Sequence, residues 1–257
     1  SNLTAVGAYA LDANTTGASN TAISGGALTK NTTGDFNVAV GTNALCTNVT
    51  SDSNTAVGYF ALRLNTGASN TAVGLCSLEA NTTGTSNVAI GFEASRLNTE
   101  GTGNVAVGYE ALDANTTGGV NVAVGYRALK VNTTAGNNVA IGYASLQANT
   151  TGTCNTAVGT NALLANTTAT GNTAVGMNSL DANTEGFNNT AVGNCSGSGI
   201  TTGDCNTFVG AFAAYTAVFA VWFNRVIFND WLKFLRNCST LFTLLFSRGL
   251  FILLFYD

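Results

Sequence analysis

Four aromatic residues recur at a spacing of seventeen in the middle of the chain: Phe92, Tyr109, Tyr126 and Tyr143. Aromatic side chains present a large apolar surface, and tyrosine adds a polar tip. If the fold brings these residues into one column, the resulting ridge could bind the sugar rings of a host-surface glycan. The same column could instead cover a corner of the apolar core, so both interpretations stay open.

Charged residues show a related spacing. Their signs alternate, and they are Arg63, Glu79, Arg96, Asp113 and Lys130. If equivalent positions stack one above another, opposite charges become neighbours, and each exposed pair contributes up to about 1 kcal/mol. The pattern therefore predicts an outward ladder of charges.

Other chemistry-bearing residues are scarce. The chain contains no histidine, and its six cysteines form neither a CxxC pair nor a metal-ligand spacing. We expect mostly free thiols, with Cys195–Cys205 as the one disulfide that the chain geometry would allow. Nine basic residues against thirteen acidic ones give a net charge of −4, which disfavours binding to the phosphates of nucleic acid. No catalytic residue, metal or cofactor is predicted.

The element that must position these columns is a tandem repeat. Each unit reads N-[TV]-A-[VI]-G-x-x-[AS]-L-x-x-N-T-T-G-x-x, and positions are numbered below from its first Asn. Units start at Asn20, Asn37, Asn54, Asn70, Asn87, Asn104, Asn121, Asn138, Asn155, Asn172, Asn189 and Asn206, after a degenerate copy at Leu3. The spacing is seventeen residues except from Asn54 to Asn70, where one turn residue is missing.

A unit of this length is too short for a helix pair, and its Val, Ile, Thr and Gly content favours strands joined by turns. We predict an all-β protein, a parallel β-solenoid (β-roll) of about thirteen 17-residue coils between Leu3 and Gly210. Each coil would contribute two short strands and two turns, stacked about 4.8 Å apart.

Alternation within the strands predicts which side chains share a face. We assign positions two, four and nine to the interior, and position three to the outside. Position three is nearly always Ala, as in Ala89, Ala106, Ala123 and Ala140. A uniform column of small outward residues predicts an oligomer interface, most simply in a trimer. Packing under a turn of the same coil is the alternative.

The Asn and Thr columns have a structural interpretation and a functional one. Asn suits turns, and its amide can bond the same group one coil away. Asn81, Asn115 and Asn149 also open N-x-T glycosylation sequons, which the register produces automatically. Paired threonines such as Thr116–Thr117 and Thr133–Thr134 would suit an ice-binding solenoid if they faced outward.

The repeat gives way to a hydrophobic tail, so we divide the chain into a solenoid, residues 1–210, and a tail, residues 211–257. Polar residues recur at helical spacing between Asn224 and Asn237, and residues 238–256 are mostly apolar. We expect a helical tail that contacts a membrane, is buried in an oligomer, or caps the last coil.

The segment NVAIGYASLQA, from Asn138 to Ala148, is similar to the head repeats of trimeric autotransporter adhesins. The tandem NTAVG…AL…NTTG array more closely resembles repeat regions of phage and virus tail-fibre-like proteins and of bacterial surface proteins. That resemblance covers Leu3 to about Gly210 and implies a left-handed, often trimeric β-roll. It also implies an extracellular place, on a virion or a cell, and a role in attachment. The coil here is longer than the usual adhesin head repeat.

The motif TAVG also fits the core of hexapeptide-repeat acyltransferases. Those enzymes use a general base, usually His, and this chain has none. We therefore predict a structural fibre or adhesin segment that acts without catalysis, with itself and a host-surface glycan or receptor as partners. The alternative prediction is an ice-binding β-solenoid.

Overall fold

The structure is a computed structural model that describes residues 2–215, 227–228, 243–247 and 250–254. One three-residue strand per repeat builds a single parallel sheet, which confirms the predicted β-solenoid. The strands are β1 (Thr4–Val6), β2 (Thr21–Ile23), β3 (Val38–Val40), β4 (Thr55–Val57), β5 (Thr71–Val73), β6 (Val88–Ile90), β7 (Val105–Val107), β8 (Val122–Val124), β9 (Val139–Ile141), β10 (Thr156–Val158), β11 (Thr173–Val175), β12 (Thr190–Val192) and β13 (Thr207–Val209). Twelve steps of about 4.8 Å give the stack a length of about 60 Å.

The coils stack in strict register. Ala106 is paired with Ala89 on one side and with Ala123 on the other, and the backbone N–H of Val105 donates to the Asn121 carbonyl at 2.8 Å. The shortened coil keeps this register, because Thr55 still pairs with Thr71. Repeating side chains therefore form continuous columns along the whole solenoid.

The rest of each coil consists of turns, so the prediction of two strands per coil was wrong. Glu110 and Leu112 have positive φ angles of 51° and 54°, and their counterparts in other coils repeat this conformation. Bulky residues adopt it rarely because the Cβ crowds the backbone. Backbone bonds between coils continue here nevertheless: the N–H of Leu112 donates to the Ala128 carbonyl at 2.9 Å.

The core corrects our assignment of the strand faces. Ala89, Ala106, Ala123 and Ala140 are completely buried, whereas positions two and four face outward. The Ala column therefore lies inside its own coil and cannot be an oligomer interface. Alternation showed correctly that positions two and four share a face, but it could not tell which face is inside. A narrow coil accepts the small side chain, and the alanines share the core with the leucines of position nine.

The inward leucines follow the prediction, and glycine occupies a tight corner of the coil. Leu112 and Leu129 are fully buried. Gly108, at the corner after β7, has a φ of +137°, and a Cβ added to it would collide with the Gly125 carbonyl of the next coil. Glycine adopts this conformation without strain, and among the thirteen coils only Ser24 takes its place at this corner.

Beyond the last full coil, β14 (Ile227–Phe228) pairs in parallel with β13. β15 (Thr243–Ser247) and β16 (Leu250–Leu254) form an antiparallel pair. This pair corrects the expected helix at residues 243–254, where an apolar run without polar periodicity fits either element. Most of the helix predicted between Asn224 and Asn237 lies outside the described residues. Within the described part of the chain, no helix is long and apolar enough to cross a membrane.

Candidate functional site

An asparagine ladder runs through the interior at position twelve. The Nδ2 of Asn115 donates to the Oδ1 of Asn98, one coil away, at 2.7 Å and to the Gly118 carbonyl of its own coil at 2.9 Å. Both amide hydrogens are thus used, and the side chain is fully buried. The sequons at Asn81, Asn115 and Asn149 belong to this ladder, so the folded coils do not present them for glycosylation.

A second ladder, at position one, connects side chains with the backbone. The Oδ1 of Asn104 accepts the backbone N–H of Asn121 at 2.9 Å, and its Nδ2 donates to the Gly118 carbonyl at 2.8 Å. Buried amides are favourable only when their partners are in place. The two ladders therefore stabilise the register of the coils, as the sequence predicted for the Asn columns.

The position-twelve ladder is broken at the shortened coil, whereas the position-one ladder continues through it: the Oδ1 of Asn54 accepts the backbone N–H of Asn70 at 3.0 Å. In this coil the Nδ2 of Asn65 donates to the carbonyl of Gly67, two residues further along the chain. In a coil of normal length the same bond reaches the carbonyl three residues further along. The ladder resumes at once, because Asn81 donates to Asn65 at 2.6 Å. Across the joint, the buried Oδ1 of Asn48 has no hydrogen-bond partner, and within the shortened coil the buried Nδ2 of Asn54 has none either.

All charges of the described coils lie on one part of the circumference, positions seven to sixteen, which we call the turn side. They are Asp12, Lys30, Asp35, Asp52, Arg63, Glu79, Glu93, Arg96, Glu100, Glu110, Asp113, Arg127, Lys130, Asp181, Glu185 and Asp204.

The predicted charge ladder forms in part. Arg63 pairs with Glu79 at 2.9 Å, and Arg96 with Asp113 at 3.1 Å. Asp113 is only 8% exposed, so it does not face outward as expected. Burial raises the pKa of its carboxyl group, and the neighbouring Arg96 opposes that shift.

Lys130 continues the ladder with a different partner. It pairs with Glu110, at position seven of the preceding coil, at 2.6 Å, and Arg127 contacts the same carboxylate at 2.8 Å. Hydrogen bonds from Lys130 and then Arg127 lower the pKa of Glu110, although partial burial opposes them. Sequence reasoning missed Glu110 because it compared charges only within one column.

The aromatic ridge exists as a stack of parallel rings. Ring centroids lie 5.1 Å apart between Phe92 and Tyr109, 5.1 Å between Tyr109 and Tyr126, and 5.2 Å between Tyr126 and Tyr143, with interplanar angles of 9° or less. Because the rings cover one another's faces, the ridge presents their edges to solvent. A sugar stacking on a ring face would find one free only at the two ends of the column.

The outward side chains of positions two and four form the sheet face. Position four is Val or Ile in every coil, and position two is Thr or Val. Ile90 and Ile141 are about two-fifths exposed. This surface was missed by sequence reasoning, which had placed both columns in the core.

The threonines of the turns are partly committed to the backbone. The hydroxyl of Thr116 donates to the Thr133 carbonyl one coil away at 3.1 Å, whereas Thr117 is exposed. The hydroxyl groups of one threonine column thus bond to the backbone of the solenoid, so only the other column has hydroxyl groups available to bind ice.

The cysteines and acidic residues do not assemble into a chemical site in the coils. Cys195 and Cys205 are free thiols, so the expected disulfide is absent. Burial, and then a hydrogen bond with Glu79, raises the pKa of Cys76 to about 11. Among the described residues, no group of His, Cys, Asp or Glu could hold a metal ion.

The chain was compared with models of protein families, with curated proteins and with solved structures, and none of them matches it.

Proposed function

We propose that this chain is a structural fibre or adhesin segment that is displayed on a virion or a cell surface. It would mediate attachment or filament assembly without catalysis. The observation that carries the proposal is the uninterrupted stack of thirteen in-register strands. Such a stack, about 60 Å long, holds surface groups at fixed intervals.

The ladders support a mechanical role. Most coils contribute two buried asparagines that bond across the joint to a neighbouring coil, in addition to the strand pairing. Bending the rod would stretch these bonds on one side, and burial makes their loss costly. The resemblance of the repeat to tail-fibre-like and surface proteins supports a place outside the cell.

Electron microscopy combined with immunogold labelling tests this proposal. We expect the purified chain to include a straight segment about 60 Å long, and antibodies against it to label the outer surface of the source cells or particles. A globular particle, or label confined to the interior, would refute the proposal.

Ice binding is a second candidate, and the sheet face favours it more than the turns do. Thr156, Thr173 and Thr190 lie at position two, partly exposed, on consecutive strands of one sheet. They form a regularly spaced column beside the apolar residues of position four. Thermal hysteresis measured at micromolar protein distinguishes the candidates: activity would favour ice binding over the fibre.

A further inference from the structure

The sheet face differs from the rest of the surface in carrying no charge. From position seventeen of one unit to position six of the next, the coils between Leu3 and Gly210 contain no Asp, Glu, Lys or Arg. Depletion of charge marks the buried centre of protein interfaces, and large contiguous apolar surfaces are uncommon on soluble monomers.

The face is most apolar at its centre. In β6 to β9, positions two and four are all Val or Ile, and the aromatic ridge runs beside them. Threonine occupies position two in most of the outer strands, β1 to β5 and β10 to β13. This arrangement, an apolar centre with more polar ends, is that of an interface core and its rim.

The area is sufficient for stable association. Thirteen strands spaced about 4.8 Å apart and about 10 Å wide over columns two to four offer on the order of 600 Å². Specific interfaces bury at least about 600 Å² on each partner.

We propose that the sheet face binds the sheet face of a second copy of this chain. The columns repeat at one interval over all thirteen strands, so a partner that uses the whole face must carry the same interval. A second copy of the chain has this interval because it contains the same repeat. A two-fold contact places the face against itself, and an uncharged face meets no like-charge repulsion there.

The contact resembles the packing of two sheets in a β-sandwich. Sheets pack about 10 Å apart through interdigitating outward side chains, and β-branched residues suit this packing. Ile90 and Ile141 lie in the central block, where the loss of contact would weaken the dimer most. This association does not depend on where the protein is displayed.

Sedimentation velocity of the full chain over a dilution series tests the proposal. We expect a reversible dimer, and we expect the double variant Ile90→Glu, Ile141→Glu to weaken it by more than about 100-fold, because both carboxylates would be buried without partners. The matched control is Leu97→Glu, Val131→Glu on the turn side. These side chains are 38% and 36% exposed, against 41% and 40% for the two isoleucines. The control should leave the dimer unchanged.

A milder pair of variants protects the test against misfolding. Ile90→Thr, Ile141→Thr keeps the β-branched shape and should weaken the dimer by about 10-fold while the denaturation midpoint changes little. A monomeric wild type at every concentration would overturn the proposal, and so would thermal hysteresis from that monomer. Association that survives both isoleucine variants, or that the control also abolishes, would show that another surface, such as the tail, joins the copies.

Discussion

The sheet face and the turn side belong to the same coils, but the turn side carries charged side chains and the sheet face does not. On the turn side, charged groups find partners within the chain: Arg63 with Glu79, and Glu110 with both Arg127 and Lys130. On the sheet face, Val or Ile projects from every strand of the coils and lies beside the equivalent side chains of the adjacent strands. In a repetitive rod, the polar groups on one side can thus be paired within the chain while the apolar side chains on the other side remain exposed.

The largest expected effect comes from the core behind the sheet face. Ala106→Glu would bury an unpaired charge in a coil without spare volume, and we expect it to lower the free energy of unfolding by at least about 3 kcal/mol. Urea denaturation measures this. Thr117→Glu is the control, since Glu100 and Glu185 occupy the same position naturally. It should cost less than about 0.5 kcal/mol. Equal losses would mean that the Ala column does not face inward.

The second effect concerns the ladder that joins the two sides. Asn115→Ala leaves the buried Oδ1 of Asn98 without its donor and one N–H of the Asn132 amide without its acceptor, whereas the Gly118 carbonyl keeps its bond from Asn104. We expect a loss of about 1–3 kcal/mol in the free energy of unfolding. Asn194→Ala, at an exposed position, should have little effect. If the two variants melt at the same temperature, the ladder does not stabilise the fold.

The third effect tests the turn side alone. Glu110→Gln should lower the free energy of unfolding by up to about 1 kcal/mol at neutral pH and low salt. The folded pKa of Glu110 is lowered, so its stabilisation is present above its ordinary pKa of 4.5 and is lost as the pH falls through the folded pKa. The difference between wild type and variant should therefore shrink below about pH 4.5 and at high salt. A difference that grows on acidification would contradict the assignment.

The smallest effect changes reactivity and leaves stability alone. Cys76 lies on the turn side with its pKa raised to about 11, so little of it is thiolate at pH 8. Cys154 and Cys205 are exposed beside the sheet face. Peptide-resolved mass spectrometry during alkylation should find these two modified well before Cys76. Faster modification of Cys76 would place it in a different environment.

The sequence predicted the features that depend on periodicity. The coil length, the parallel register, the buried Leu112 and the bonding of the Asn columns all follow from residues repeated at one spacing. The missing residue in the shortened coil was also placed correctly, in the turn after Asn65.

The features that depend on the size of the interior were not predicted. The alternation in Val105-Ala106-Val107 is compatible with either the valines or the alanine facing the core. Only the closed coil shows that the core is narrow and accepts Ala. Leu112 was expected in a second strand because its left-handed backbone has no signature in the residue type. The first error hid the sheet face, because it placed the side chains of positions two and four inside.

The break in the position-twelve ladder between Asn48 and Asn65 divides the rod energetically. In a one-dimensional stack, stability is a sum of terms for each coil and for each joint between neighbours. The joint between the coils of Asn48 and Asn65 lacks the position-twelve amide bond that joins the coils from Asn65 to Asn183, so it is a weak point of cooperativity inside the rod. Unfolding that starts at the first coils would tend to stop at this joint. The coils before Asn54 would therefore open and close as one unit, separately from the coils after it.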